Sequence, residues 1–284
     1  MTTSVLAVDI GGTKLAAGIV GDDGRVHDRR IVPTPRTVDG EALFATLADT
    51  IDSLGDAVGN VRAVGVGCGG PMARGGVAVS PLNIPAWRDF PLRSRLADRY
   101  GLPVHVDNDA KALARGEGWT GAAAGVRDFI AMVVSTGIGG GIVVDGMLLD
   151  GADGNAGHVG HVIVEPDGAT CGCGARGCVE AEASGTAIER ITGRPPAEAP
   201  AEVRERTGRL VGRAIASVAN LLDLRLAVVS GSVALGYGDA FFGAAQAEID
   251  ARCRLDFSRG TRVVPGALRE DGPLVGAAAV ALFA

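Results

Sequence analysis

The sequence predicts an α/β protein of two lobes with a metal-binding loop inserted in the second. Three observations predict it. An apolar run ending in Asp9 is followed by Gly11-Gly12 and a second apolar run. The same strand, glycine turn and strand recur at 129–134, Ser135-Thr136-Gly137-Ile138-Gly139-Gly140-Gly141 and 142–144. A weak internal repeat of this kind is what a duplicated two-lobed fold leaves in a sequence. Lastly, residues 154–180 read GNAGHVGHVIVEPDGATCGCGARGCVE and place three of the five cysteines within eight residues.

At 284 residues the chain can bury a substantial core. It is 47% hydrophobic and 21% charged, which marks a globular class rather than a disordered one. No uncharged apolar run is long enough to span a membrane, and the N-terminus lacks the pattern of a signal peptide, so a cytoplasmic protein is expected. A net charge of −6 without a basic block argues against a general nucleic-acid surface.

In chain order, 5–10 and 13–20 form a hairpin and 26–32 a third strand. Apolar residues at 43, 44, 47, 51 and 54 predict a helix over 41–54. A buried strand at 62–67 breaks at GCGGP, where Cys68 reads as a small buried hydrophobe. Residues 104–106 run into Asp107-Asn108-Asp109, three candidates for the N-cap of a helix over 110–123. After the second hairpin, 162–164 reads as a strand. Helices are expected over 183–192, 204–222, 240–251 and 274–283, with a strand at 226–229 that meets Ser230-Gly231-Ser232. No linker divides the chain, so the lobes are set at 1–109 and 110–284, with the last helix able to pack back on the first lobe.

Cys171, Cys173, Cys178 and His161 make a complete tetrahedral zinc set. The competing reading is a disulfide plus a spare thiol, which cysteine usage elsewhere disfavours. A closed four-ligand site is structural. The ion would then shape this loop and fix its flanks, and chelation is expected to disorder the loop.

Cys171-x-Cys173-Gly174-x-x-Gly177-Cys178-x-Glu180 resembles the consensus of the ROK family (sugar kinases, repressors and open reading frames). The upstream Gly-Glu-x-Gly-His of that consensus departs here, because His158 stands where most members have Glu. The resemblance implies a two-lobed actin-like ATPase (ribonuclease H-like) fold with an inserted structural zinc loop. DIGGTK lacks the spacing of a P-loop and is similar to the first phosphate loop of the actin, hexokinase and Hsp70 fold. That likeness implies Gly11, Gly12, Thr13 and Lys14 at ATP phosphates and Asp9 at Mg²⁺, directly or through water. Ser135, Thr136, Gly137 and Gly139 would form the second phosphate loop, and Gly231 and Ser232 would hold the adenosine. Gly70, Asn83, Asn108, His158, His161 and Glu180 would meet the sugar, with Trp87 on the loop over it.

The resemblance implies an ATP-dependent hexose kinase acting on the 6-hydroxyl, with Asp109 as general base; glucose is the expected sugar by family frequency. An ordinary aspartate is ionised at neutral pH, as a base must be. His158 leaves N-acylmannosamine or another hexose open, since a neutral imidazole donates one hydrogen bond and accepts one whereas a carboxylate only accepts. Polyphosphate is open as a second donor. A repressor of the family would carry a helix-turn-helix before the first strand, so the enzyme is expected over that regulator or a non-catalytic sugar-binding module. Family members are commonly dimers or tetramers, so a homo-oligomer is expected.

Overall fold

Alternating residues of the first strand explain the first half of the molecule. The structure, a computed structural model, describes residues 4–284. In β1 (Ser4–Ile10), Leu6, Val8 and Ile10 join one apolar cluster while Val5 and Ala7 join another on the opposite face. With side chains alternating across a strand, Asp9 shares the second face. β2 (Lys14–Gly21) and β3 (Val26–Pro33) extend the sheet antiparallel, and β4 (Val64–Cys68) and β5 (Val104–Asn108) extend it parallel from β1, in the order β3-β2-β1-β4-β5. Helices α1 (Gly40–Asp52) and α2 (Leu92–Tyr100) supply Leu43, Phe44, Leu47, Leu92 and Leu96 to the first cluster. On the other face lie α3 (Asp109–Trp119) and the C-terminal α9 (Gly272–Leu282). A Cβ on Gly65 would stand 2.0 Å from the Ala277 carbonyl oxygen, so glycine is what lets α9 lie against β4.

The second half repeats this order. β6 (Phe129–Val134) pairs antiparallel with β7 (Ile138–Val144), which pairs with β8 (Met147–Leu148). β6 pairs parallel with β9 (Leu226–Ser230), and β9 with β10 (Arg262–Pro265), giving β10-β9-β6-β7-β8. Between these strands lie α4 (Val179–Ala183), α5 (Gly185–Thr192), α6 (Ala201–Leu222), α7 (Ser232–Tyr237) and α8 (Asp239–Arg252). Gly208 and Gly212 of α6 meet the backbone of Phe241 and Ala245, which brings α6 and α8 together closely. The repeat that the two glycine hairpins predicted is thus a repeat of whole sheets.

The chain forms two compact units. One holds the chain up to Thr120, Asp150–Ala156 and Glu270–Ala284; the other holds Gly121–Leu149 and Gly157–Arg269. Helix α3 packs along α9 within the first unit. Two expectations change. Residues 162–164 form no strand; their pairing is a single bridge, Ile163 opposite Cys178, because the opposing segment curls at once into the cysteine loop. Trp87 is fully buried, stacked on Phe90 with ring centroids 4.6 Å apart and donating from Nε1 to the Gly40 carbonyl at 3.0 Å. It is a core residue. Among the described residues no helix is long and apolar enough to cross a membrane.

Candidate active site and metal centre

In the first unit the parallel strands β1, β4 and β5 end in register, with Asp9 beside Gly67 and Gly67 beside Asp107, then Ile10, Cys68 and Asn108. Ligands of open α/β sheets bind beyond such carboxyl ends. A Cβ on Gly67 would stand 3.7 Å from Asp9 Oδ1 and 3.5 Å from the Asp109 Cα, so both acids lie over the one bare backbone position. Burial pushes the Asp9 carboxyl up to about 7; the Asp109 charge adds to the rise and Lys14 opposes it. The turn between β1 and β2 closes through Gly11 N–H to the Lys14 carbonyl at 3.0 Å, and Thr34 Oγ1 donates to the Gly11 carbonyl at 2.6 Å. Gly12, Thr13 and Lys14 are exposed at its tip. Asn83 packs on that turn: a Cβ on Gly12 would fall 2.7 Å from Asn83 Cβ. The Gly70 carbonyl accepts from Leu82 N–H at 3.1 Å, tying the Gly-rich strand end to the Asn83 loop.

The three N-cap candidates divide their work. Asn108 is the cap, its Oδ1 accepting from Ala110 N–H at 3.0 Å and Lys111 N–H at 3.3 Å. Asp107 is paired with Lys111 and accepts from Asn108 N–H at 2.8 Å. Asp109 stands in the first turn of α3, exposed, with Oδ1 accepting its neighbour's Ala110 N–H at 2.8 Å. A carboxylate there is favoured by the helix dipole.

In the second unit the turn is Ser135-Thr136-Gly137, and Gly139 lies beyond it, inside β7 opposite Val133. The turn is braced on several sides. Glu180 Oε2 accepts from Ile138 N–H at 2.9 Å, Gly185 N–H donates to the Ser135 carbonyl at 2.7 Å, and Thr186 donates to the Thr136 carbonyl through both N–H and Oγ1. Ser135 Oγ and Ser232 Oγ stand 3.0 Å apart. Gly231, at φ +100°, would place a Cβ 2.3 Å from the Val134 carbonyl oxygen, so only glycine admits this crossing. Beside the turn is a cavity of about 410 Å³ reached by Thr136, Thr186, Glu189, Pro196, Ser232 and Tyr237. Sequence reasoning reached Thr136 and Ser232 but missed Thr186, Glu189, Pro196 and Tyr237, whose convergence depends on α5, α7 and the 195–197 turn folding together.

His161, Cys171, Cys173 and Cys178 converge with all four ligand atoms within 4.8 Å of one another. Cys173 Sγ and Cys178 Sγ are 3.7 Å apart, as are Cys171 Sγ and His161 Nδ1. With Zn–S near 2.3 Å, tetrahedral sulfur ligands stand about 3.8 Å apart, so the residues fit a zinc ion. No two of these cysteines form a disulfide. Burial pushes the Cys178 thiol up to about 12, so a proton must leave when a cation takes that sulfur. Gly177 N–H donates to Ala169, whose own N–H donates to the buried Glu182 at 2.6 Å; Glu182 in turn holds Arg206 at 2.6 Å. A single helical turn, Val159–His161, brings the rings of His158 and His161 nearly parallel with centroids 6.2 Å apart. Nδ1 of His161 faces the sulfurs, which leaves the other ring nitrogen for a hydrogen bond outside the cluster.

Two sheets of one strand order, a turn at the same place in each, and a Cys₃His loop in the second match a known group. Residues 5–283 match the model of the ROK family. The chain belongs to the ROK family. Among its ROK relatives, N-acetylmannosamine kinase of Citrobacter koseri is 39% identical over 83% of this chain and 85% of its own length. Glucokinase of Thermotoga maritima is 32% identical over 97% and 96%. Among solved ROK structures, a glucokinase from Streptomyces griseus in complex with glucose and AMPPNP is 31% identical, with a TM-score of 0.83 over 97% of this chain and 98% of that one. The mixed α/β two-sheet fold is the ROK kinase fold.

Proposed function

We propose that this chain transfers the γ-phosphoryl group of ATP to the 6-hydroxyl of a hexose, with Asp109 as general base and N-acetylmannosamine as the preferred sugar. The observation that carries the reading is the pair of acids over Gly67: Asp9 partly buried, Asp109 exposed at the first turn of α3. They divide the two tasks of phosphoryl transfer, holding a cation and taking a proton. Mg²⁺ would neutralise charge on the phosphates, and Asp9 is the residue to hold it. The crowding of two carboxylates, which helps to raise Asp9, is what a divalent cation relieves.

Asp109 would take the proton of the attacking hydroxyl. Asn108, its carbonyl engaged as the helix cap, keeps its NH₂ to donate to a ring hydroxyl. Gly70, Asn83, His158, His161 and Glu180 are the further residues proposed for the sugar. The exposed tip Gly12–Lys14 and the turn Ser135–Gly137 would contact phosphates, with the adenosine in the cavity at Thr136 and Ser232. The ROK zinc set would hold the loop that presents His158, His161 and Glu180.

For the sugar, the relatives support N-acetylmannosamine over glucose, a choice that His158 leaves open. N-acetylmannosamine kinases of Citrobacter koseri and Escherichia fergusonii are each 39% identical to this chain, against 32% for the Thermotoga maritima glucokinase. Glucose remains the second reading, supported by that glucokinase matching over 97% of the chain. The test is a phosphorylation assay with ATP and Mg²⁺ across glucose, mannose, N-acetylmannosamine, N-acetylglucosamine and allose, with polyphosphate as an alternative donor. N-acetylmannosamine should give the highest kcat/KM. Glucose ranking first would reverse the choice of sugar, and turnover with none of them would remove the kinase reading.

A further inference from the structure

We infer that Lys111 is a positioning residue that locks the segment Asp150–Ala156 to the strand end carrying Asn108 and Asp109, and so sets the sugar requirement without setting that for ATP. This deepens the hexose-kinase reading and rests on it for the substrate effect.

Lys111 is 2% exposed and lies in the first turn of α3, two residues after Asp109 and three after the cap Asn108. Its ammonium has three protons and three oxygen partners: Asp107 Oδ1 at 3.1 Å, Asp150 Oδ1 at 2.6 Å and the Gly154 carbonyl at 3.1 Å. One cation therefore touches both Asp107, whose carboxylate also receives Asn108 N–H, and the excursion at 150–156 at two points, Asp150 and Gly154. Arg115 approaches Asp107 at 3.6 Å and Arg74 approaches Asp150 at 3.7 Å, so the network reaches further along α3 and into the loop after β4.

The excursion has little else to order it. It reads Asp150-Gly151-Ala152-Asp153-Gly154-Asn155-Ala156, with no large apolar side chain to bury. Ala156 N–H returns to the Asp150 carbonyl at 3.0 Å and closes it into a loop. Gly151 and Gly154 adopt positive φ, so the loop depends on conformations that apolar packing does not enforce. The chain passes from this loop through Gly157 directly to His158.

Stability alone does not explain a buried lysine. A buried ion pair is often no more stabilising than an apolar replacement of the same shape, and its best-attested use is to fix register. Here the register fixed is that of a glycine-rich loop against the end of β5. Lys111 also distinguishes Asp107 from Asp109: the first is committed to the ammonium, and the second stands one residue beyond the cap at the helix start.

The test uses Asp150→Ala, Lys111→Met and the intact enzyme, with hydrogen exchange of peptides spanning 150–156 and separate KM values for ATP and for the best hexose of the panel. In Asp150→Ala the loop should exchange at least about tenfold faster, as for a locally opened segment. Sugar KM should rise about tenfold, with ATP KM held within about twofold, since misplacement affects only one substrate's contacts. Lys111→Met should add a fall in kcat, because Asp107 then loses its ammonium and Asn108 its brace. Should Lys111→Met fail to fold, Asp150→Ala, whose side chain is about half exposed, decides alone. Unchanged exchange of the loop, or ATP and sugar KM rising in parallel, would overturn the inference. Exchange is read without substrate, so absence of any hexose phosphorylation would count against the kinase reading and leave the lock to be judged by exchange.

Discussion

The turn between β1 and β2 and the turn between β6 and β7 occupy the same place in two sheets of the same strand order, yet they are built differently. The first follows a partly buried acid, Asp9, and carries Lys14; a second acid, Asp109, stands nearby. The second carries only hydroxyls and glycine, and its backbone is held by Glu180, Gly185 and Thr186. Each turn also leans on a residue proposed for the sugar. Gly12 faces Asn83 and Gly137 faces Glu180. The difference teaches that one copy keeps the charges, while the other is shaped by the segment that leaves the metal loop at Cys178.

The contacts of the two glycines break the comparison most sharply. A Cβ at Gly12 would fall 2.7 Å from Asn83 Cβ and 3.0 Å from its carbonyl oxygen, neither of which can swing away. A Cβ at Gly137 would fall 2.9 Å from the tip of the Glu180 side chain, which can move at the cost of its bond to Ile138. Gly12→Ala should therefore lower kcat/KM about a hundredfold and Gly137→Ala only about tenfold, the range expected for displaced reacting groups. Steady-state kinetics of both variants checks the order, and the reverse order would show that Glu180 is the more rigid partner.

Metal removal tests the bracing. Cys178 is two residues from Glu180, which holds the turn at Ile138. Treatment with a chelator should weaken a non-hydrolysable ATP analogue about fivefold, at the low end of ordinary coupling between sites. Titration calorimetry with and without restored zinc measures it. An unchanged affinity would mean that the turn is held by Gly185 and Thr186 alone.

The smallest effect concerns Asp9. Its carboxyl sits at about 7 in the folded protein, against an ordinary 3.8, with burial as the main cause. Between those values the native state holds a proton that the unfolded chain lacks. Stability of the Mg²⁺-free protein therefore falls as pH rises from about 4 to about 7 on this group's account, and the penalty is complete above that. Asp9→Asn should melt a few degrees higher than the unmodified chain at pH 8, with the gap closing towards pH 4. Thermal melts without Mg²⁺ across that range check the sign; a gap that widens on acidification would contradict it.

What the sequence revealed was what lies close along the chain. The cysteines fall in one tight loop, and the glycine turns sit between apolar runs, so both were legible from spacing. Helix α2 was missed because only Leu92 and Leu96 of its nine residues are buried, which leaves little periodicity. β10 was missed as four residues ending in proline. Trp87 was placed on a loop over the sugar because its hydrogen-bond partner, the Gly40 carbonyl, lies 47 residues away in sequence. Lys111 gave no signal at all, since Asp150 lies 39 positions away. Spacing did not separate Asp107 from Asp109, which the family resemblance alone told apart: the lysine that binds Asp107 finds its second carboxylate only in the folded chain.

The most direct test of the account follows phosphate by ³¹P NMR, with ATP, Mg²⁺ and N-acetylmannosamine, for the unmodified enzyme and Asp109→Ala. The unmodified enzyme should form a sugar phosphate with phosphorus coupled to the protons of C6. Asp109→Ala should form the same product at least about a hundredfold more slowly, the usual scale of general base catalysis, while binding the ATP analogue with little change. Near-normal turnover in Asp109→Ala, or phosphate on another hydroxyl, would contradict it.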